Sequence, residues 1–109
     1  MKTKNSVQLI GYLGKDPMLK TAVNGSKFAR LRVATDYFRR HKDGTIIKKT
    51  TWHDVLVWDW LAEKIPGNFI TGSHVLVEGD IRNRTYKDKQ GIIRLITEFH
   101  ASVLLNLDR

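Results

Sequence analysis

The chain contains no cysteine, which rules out disulfide bonds, thiolate metal sites and a cysteine nucleophile. No apolar run approaches the length that a membrane-spanning helix needs. The first five residues, Met1 to Asn5, show no signal-peptide pattern and lead into an amphipathic, strand-like run. We therefore expect a cytoplasmic protein that does not associate with membranes.

Sequence motifs of several enzyme classes are missing too. There is no P-loop, no Gly-x-Ser-x-Gly motif and no dinucleotide-binding fingerprint. The histidines are scattered without the spacing of metal ligands: His41, His53, His74 and His100. Glu78 and Asp80 share a predicted strand face, like a nuclease carboxylate pair, but no third ligand or general base stands nearby in sequence. We expect no enzymatic activity, no metal site and no cofactor.

The positive charge that the chain does have is unevenly placed. The formal net charge is +8. Residues 27–49 hold eight Lys or Arg against two Asp, and residues 82–94 hold five against one Asp. The remainder is slightly negative. Two basic segments on a nearly neutral body favour a polyanionic partner, with a solvated basic surface as the alternative.

Tryptophans recur at even positions of one strand-like run: Trp52, Trp58 and Trp60. Side chains alternate between the two faces of a strand, so the three rings share a face if the strand reaches Trp60. Val55 and Val57 then point the other way, into a core. Asp54 lies on the aromatic face and does not suit a dry interior. The pattern favours an exposed surface on which nucleic-acid bases stack, and burial of the tryptophans in the core is the alternative.

Alternation and turn signals predict five strands, over residues 7–13, 27–35, 49–59, 73–84 and 92–105. Turns are predicted at Asp16-Pro17, Asn24-Gly25 and Asp43-Gly44, the last at the tip of a long hairpin loop. Residues 86–91 form a polar loop, and Gly79 indicates a bulge or bend. Residues 61–65 are the helical stretch, which Pro66-Gly67 limits, although Phe69 and Ile70 could extend it by a turn.

Two runs also predict which side chains face the core. In residues 27–35, Ala29, Leu31 and Val33 share the inward face, and Arg30 and Arg32 share the outward one. In residues 73–84, the valines at 75 and 77 point inward. We predict an all-β protein, a five-stranded OB-fold Greek-key barrel with one short helix between strands 3 and 4, forming a single domain over residues 1–109.

Seven stretches, in register, resemble the bacterial single-stranded DNA-binding protein family. They are residues 5–17, Asn24-Gly25, Ala34-Thr35, Thr51-Trp52-His53, Leu61-Ala62-Glu63, Gly72-Ser73 with Val77-Glu78-Gly79, and Thr97-Glu98. The resemblance covers nearly the whole chain. It implies a non-enzymatic protein that binds single-stranded DNA without sequence preference, in replication, recombination or repair. A primosome-type or RNA-binding OB-fold protein and a protein-interaction module are the alternatives.

The resemblance also implies which residues bind DNA. By position, the stacking aromatics correspond to Phe38, in the hairpin after the second predicted strand, to Trp52 and Trp58, and to Tyr86 in the polar loop. Trp60 is an additional aromatic that either offers a stacking surface or caps the helix end. We expect phosphate contacts from cations of the predicted strands and basic segments: Arg30, Arg32, Arg39, Lys48, Lys49, Arg82, Arg84 and Lys87.

Two features concern partners other than DNA. The family pairs subunits through its first strand, which implies a homo-oligomer, a tetramer in preference to a dimer, with interface residues Ser6, Gln8, Ile10, Tyr12 and His53. The chain ends at Arg109 without the family's acidic C-terminal extension, so we expect no tail-mediated recruitment of other proteins.

Asp54 stands where the family often has a basic residue. It could weaken phosphate contact there, or pair with Arg30 or Arg32.

Overall fold

A computed structural model describes residues 2–15 and 17–108, so Met1, Arg109 and Asp16 of the predicted turn lie outside it. Within those residues the chain forms six strands and one helix. In order they are β1 (Val7–Leu13), β2 (Leu19–Thr21), β3 (Lys27–Arg40), β4 (Ile46–Trp58), α1 (Asp59–Glu63), β5 (His74–Lys87) and β6 (Ile93–Asn106).

Five of these strands close into a barrel. The sheet order is β1-β5-β6-β4-β3-β2, and β1 also pairs with β3, where Tyr12 lies opposite Ala34. The β4–β6 pairing is parallel and the other pairings are antiparallel. This topology is the Greek-key barrel of the OB-fold, which confirms the predicted fold class. The helix lies between the third and fourth barrel strands, as predicted, and the short β2 flanks β3 outside the ring.

Two hairpins extend farther than the sequence predicted. β3 runs on to Arg40 and β4 already begins at Ile46, so the expected long loop is a short turn over residues 41–45. The Asp43 carboxylate accepts hydrogen bonds from the Thr45 amide (3.0 Å) and hydroxyl (2.7 Å), which tightens that turn and lets strand pairing continue. Likewise, β5 reaches Lys87, and its turn lies after that residue. We call residues 36–50 the β3–β4 arm and residues 82–98 the β5–β6 arm.

The helix begins earlier and ends earlier than predicted. The strand stops at Trp58, because Asp59 adopts a left-handed backbone conformation (φ 55°) that turns the chain into α1. After Pro66, the amides of Asn68 and Phe69 both donate to the Ile65 carbonyl, so this part forms turns and the expected extension at Phe69 and Ile70 is wrong. The strand does not reach Trp60, which lies on the helix, so the condition under which all three tryptophans would share one strand face is not met.

The barrel interior follows the predicted alternation. Ala29, Leu31 and Val33 of β3 are fully buried, and so are the inward-facing valines of β4 and β5, at positions 55, 57, 75 and 77. Leu61 and Ala62 of α1 join the same hydrophobic cluster. The aliphatic side chains of alternate residues therefore fill the core, and the tryptophans stay outside it, since Trp58 is half-buried and Trp52 is exposed.

Backbone contacts at Gly79 and Asn5 shape the start of the β5–β6 arm. The pairing register shifts between Glu78 and Gly79, which confirms the predicted bulge. A Cβ atom at Gly79 would overlap the carbonyl oxygen of His100, so only glycine fits where these strands approach. The pairing of β1 with β5 ends at Gly79. Beyond it, the Asn5 side chain bonds to the β5 backbone in place of a strand partner: it accepts from the Ile81 amide (2.9 Å) and donates to the Ile81 carbonyl (2.6 Å).

One buried carboxylate joins the two strands of that arm. Glu98 is 7% exposed and accepts hydrogen bonds from Arg84 Nη2 (3.0 Å) and Nε (3.3 Å). The Nε2 atom of His100 lies 3.3 Å from the same carboxylate. The Arg84 guanidinium lowers the pKa of Glu98 below its usual value against the opposing effect of burial, and His100 adds to this lowering. The carboxylate therefore stays ionised at neutral pH.

We expect Val57→Ala to destabilise the fold, because Val57 is fully buried at the centre of the barrel. Losing two buried methyl groups and leaving a small cavity should lower the free energy of unfolding by about 2 kcal/mol. Ile46→Ala on the same strand is the control, since Ile46 is 63% exposed and its truncation should change stability little. Chemical denaturation measures both, and equal effects would contradict the assignment of faces on β4.

The Glu98 contacts should give the protein a pH-dependent stability. A carboxylate whose pKa is lowered on folding stabilises the native state above its unfolded pKa, and this contribution is lost as the pH falls. The melting temperature should therefore drop between about pH 5 and pH 3, and Glu98→Gln should be less stable at pH 7 with a shallower drop. Glu63→Gln, on the exposed side of α1, is the control. A Glu98→Gln melting temperature equal to that of the native protein at every pH would refute this role.

Candidate nucleic-acid interface

The register of β3 against β4 builds one continuous face on the side away from the barrel core, exposed or half-exposed except at Leu56, which is buried. Residues directly opposite each other project to the same side of a sheet, and here even-numbered residues pair with even-numbered ones. We call this the even face. It comprises Phe28, Arg30, Arg32, Ala34, Asp36, Phe38 and Arg40 of β3 and Ile46, Lys48, Thr50, Trp52, Asp54, Leu56 and Trp58 of β4. The predicted stacking residues Phe38, Trp52 and Trp58 thus lie on one side of the sheet.

Trp52 lies near the middle of this face and is 47% exposed. The Arg32 guanidinium carbon is 5.1 Å from the ring centroid, which places a cation over the ring. Gly14 contacts the six-membered ring so closely that a Cβ atom there would lie 2.7 Å from Cζ3. The ring is therefore held on two sides, and its remaining exposed surface is available to a base.

Trp58 ends the row at the base of the barrel. It is half-buried and packs against Phe28, with ring centroids 5.1 Å apart and a 32° tilt. Phe28 was missed from the sequence, although its even position beside Arg30 carried the signal. Trp60 lies beyond on α1, is 63% exposed, and has the Lys64 ammonium 4.9 Å from its ring centroid. It does not cap the helix through a side-chain bond, because Trp58 occupies the N-cap position.

The β3–β4 arm presents aromatic and basic residues on both of its faces. Phe38 is 62% exposed and lies opposite Lys48 on the even face. Tyr37, also 62% exposed, lies opposite Lys49 on the odd face, and Arg39 shares that face. The predicted cations Arg39 and Lys49 therefore project away from the Phe38 side. The sequence prediction grouped them with it because both lie in one basic segment.

The β5–β6 arm has a similar arrangement. Tyr86 is 44% exposed and lies on β5 rather than in a loop, which corrects the prediction. The even-numbered Arg82 and Arg84 project to its side, and the guanidinium carbon of Arg84 lies 5.9 Å from the Tyr86 centroid. Lys87 follows Tyr86 on the strand and points to the other face. The structure thus brings Arg82, Arg84 and Tyr86 together and separates Lys87 from them.

Three arginines of the β5–β6 arm and one of the even face already hold carboxylates. The described residues contain four such pairs: Arg32–Asp54 (3.4 Å), Arg82–Asp80 (2.6 Å), Arg84–Glu98 (3.0 Å) and Arg94–Asp88 (2.9 Å). For Asp54 the sequence left pairing with Arg30 or Arg32 as one possibility, and in the structure its partner is Arg32. Hydrogen bonds from Arg82 and Arg94 lower the pKa values of Asp80 and Asp88. Each carboxylate offsets one positive charge, so the local field is weaker than the count of basic residues indicates.

Other predicted cations make no ion pair within residues 2–15 and 17–108. They are Arg30, Arg39, Lys48, Lys49 and Lys87, and all are exposed. The guanidinium and ammonium groups of these residues are available to a phosphate without first losing a carboxylate partner. Arg32 and Arg84 keep further N–H donors beyond those that face Asp54 and Glu98. The surface can therefore contact phosphates at several points along both arms.

The Glu78 and Asp80 carboxylates are committed to structural contacts. Gln8 Nε2 donates to Glu78 (3.2 Å), and Asp80 holds Arg82. The bulge at Gly79 also interrupts the pairing between them. Within the described part of the chain, no three His, Asp or Glu side chains are grouped so that they could hold a metal ion.

The predicted subunit-contact residues fall into two groups. Gln8, Ile10 and Tyr12 share the exposed side of β1, and Ser6 precedes the strand. Tyr12 stacks on His74 with centroids 4.7 Å apart. His53 lies elsewhere, beside the odd-numbered β1 residues, in a cavity of about 340 Å³ that Val7 and Leu9 also line. Its Nε2 atom is 2.8 Å from the Thr35 hydroxyl. The structure therefore separates His53 from the other four.

One edge of β1 is largely unpaired. On one side, β1 pairs with β5 from Val7 to Tyr12. On the other side, in the described residues, it pairs with β3 at Tyr12 and Leu13 only. The backbone of residues 7–10 has no strand partner on that side among the described residues, whereas Gly11 already lies against the Ala34 carbonyl; Ile10 and Tyr12 are each 52% exposed. An open, partly apolar strand edge is suited to pairing with another chain.

Over residues 2–15 and 17–108, no helix has the length and apolar character needed to cross a membrane.

Comparisons with known proteins agree with this geometry. The model of the single-strand binding protein family matches residues 4–107. "Single-stranded DNA-binding protein 1" of Xylella fastidiosa (strain 9a5c) is 39% identical over 111 residues, covering 100% of this chain and 81% of that protein. The structure titled "Plasmodium falciparum SSB complex with ssDNA" is similar with a TM-score of 0.82 at 31% identity, covering 99% of this chain and 98% of that chain. The chain belongs to the single-strand binding protein family.

Proposed function

We propose that this protein binds single-stranded DNA without sequence preference and without catalysing a reaction, in DNA replication, recombination or repair, and that it acts in the cytoplasm as one DNA-binding domain. The observation that carries the proposal is the even face, where the exposed rings of Phe38 and Trp52 lie on the same side of the sheet as exposed arginines and a lysine. The similar Plasmodium falciparum protein was solved with single-stranded DNA, which supports the same ligand class here.

Base stacking supplies the sequence tolerance in this proposal. Every base has a π face, and one stacked base is worth about 1–3 kcal/mol. Trp52 offers the part of its ring that Arg32 does not cover, and Trp58 packs against Phe28. Phe38 and Tyr86 add one stacking position on each arm. We call these rings the stacking track. We assign Trp60 to the same track, because its exposed ring has Lys64 on one side and adds a stacking position at the end of β4.

Phosphate contacts supply the remaining affinity. Arg30 and Lys48, which make no ion pair with a described residue, lie on the even face with the rings, and Arg82 and Arg84 share the face of β5 that carries Tyr86. The opposite faces of the two arms carry three more cations, Arg39, Lys49 and Lys87. A DNA single strand that wraps around an arm would contact them there. Duplex DNA offers the same phosphates, but its bases are already stacked and cannot reach the rings. Single strands should therefore bind much more tightly than duplex.

A fluorescence titration with oligo-dT at two salt concentrations tests the function. Stacking should quench the exposed tryptophans strongly, and affinity should fall with salt at a log–log slope of about −0.7 per phosphate neutralised. A mixed-sequence oligonucleotide should bind similarly, and a duplex should bind far more weakly. A protein-interaction module would ignore the oligonucleotide, an RNA-binding protein would prefer oligo-rU, and equal affinity for duplex and single strand would refute the proposal.

Trp58→Ala and Val57→Ala separate stacking from stability in the same titration. Trp58→Ala should weaken single-strand binding by about 1–3 kcal/mol, the value of one stacked base. Val57→Ala is the matched neighbour on the opposite face, and it should keep nearly native affinity at temperatures where it stays folded. The reverse pattern would show that Trp58 acts as a core residue.

We further propose that the protein is a homo-oligomer, a tetramer in preference to a dimer, formed through β1. The open edge of residues 7–10 and the exposed Ile10 and Tyr12 support this assembly. Light scattering at micromolar concentration should give a mass about four times 12.6 kDa. Ile10→Glu should lower that mass by placing charges in the contact, whereas Val23→Glu, at an exposed apolar residue in the turn after β2, should not. A native mass of 12.6 kDa would refute the assembly and leave the fold unaffected.

A further inference from the structure

A cavity of about 250 Å³ opens beside the even face, at the edge where β2 lies along β3. Six residues line it: Lys15, Met18, Lys20, Arg30, Arg32 and Asp54. Four of them are cations and one is a carboxylate. Neither Lys15 nor Lys20 belongs to the two basic segments of the sequence, so only the fold brings them to the arginines.

The fold positions these cations next to the stacking rings. Lys20 pairs with Phe28, which pairs in turn with Trp58, so the three lie in one row across neighbouring strands. The Gly14 amide donates to the Arg32 carbonyl (2.9 Å), which holds the segment leading to Lys15 against β3. Arg32 itself covers part of Trp52. A base stacked on Trp52 or Trp58 would therefore carry its phosphate toward this cavity.

Among the described residues, Asp54 is the one acidic group that lines this cavity. Its carboxylate lies 3.4 Å from Arg32 Nε, and the two side chains are 60% and 55% exposed. An ion pair this exposed is weak, because water and salt screen it. A phosphate oxygen would compete for the same guanidinium in the same place.

We propose that this cavity is a phosphate subsite, taking one phosphodiester of the bound single strand, and that Asp54 occupies the phosphate position in the free protein. The inference rests on the proposed single-stranded DNA binding. It adds the place where one phosphate binds and names Asp54 as a residue that sets the affinity for DNA. In the bound state the phosphodiester displaces Asp54 from Arg32, and Lys20 and Arg30 complete its contacts. Asp54 then lowers the affinity of this surface for DNA, because its ion pair with Arg32 must be broken and its negative charge remains close to the bound phosphate.

The test compares Asp54→Asn with the native protein in salt titrations of oligo-dT. Asp54→Asn should bind about two- to fivefold more tightly at low salt, in keeping with the modest strength of an exposed ion pair. Its log–log salt slope should be steeper by up to about 0.7, because in the native protein the Asp54 charge still offsets part of the positive charge that meets this phosphate. Glu63→Gln makes the same change in net charge on α1, away from the cavity, and should alter neither quantity by as much.

A second variant keeps the inference falsifiable if Asp54→Asn folds poorly. Lys20→Gln removes a cation from the exposed strand β2 and should weaken binding and make the slope shallower. If the native protein binds oligo-dT and Asp54→Asn matches Glu63→Gln in affinity and slope, the subsite is refuted and the proposed function stands. If the native protein fails to bind oligo-dT at all, the proposed function fails instead.

Discussion

The antiparallel register of β3 against β4 is the constraint on which the other features depend. It places Leu31 opposite Val55 in the core and Arg32 opposite Asp54 on the outside. Because side chains alternate with a period of two, a slip by one residue would send Trp52 and Trp58 inward and expose the valines. Burial of the aliphatic residues on one face therefore fixes the position of every ring on the other. The stability of the barrel and the geometry of the candidate interface are set by the same pairing.

Much of this arrangement could be predicted from the sequence where alternation is strict. The inward positions of Ala29, Leu31 and Val33 were predicted correctly, because three successive residues on one face of that strand are apolar and the two between them are arginines. Strand ends were predicted poorly, since they depend on turn chemistry such as the Asp43–Thr45 hydrogen bonds and on the left-handed backbone of Asp59. Alternation alone does not reveal that a single residue with positive φ separates Trp58 from Trp60.

The candidate site shows a different limit of sequence reasoning. The resemblance to a family indicated Phe38, Trp52, Trp58 and Tyr86, and all four rings are at least partly exposed. It did not indicate Phe28, nor that Arg84 already holds Glu98, because those contacts depend on which strands are neighbours. The three residues of β2 carry too short a pattern to be recognised as a strand, and with β2 the sequence reasoning missed Lys20 and the cavity beside Arg30.

The ion pairs of the arginines affect how this surface discriminates between single-stranded and duplex DNA. A surface with many free cations attracts any polyanion, and duplex DNA carries the denser charge. Here carboxylates offset Arg32, Arg82, Arg84 and Arg94, which reduces the contribution that both kinds of DNA share. The exposed rings contribute only when bases are unstacked and free to reach them. On the proposed function, partial neutralisation of the arginines thus shifts the balance from general charge attraction to stacking, and it favours the single strand at some cost in total affinity.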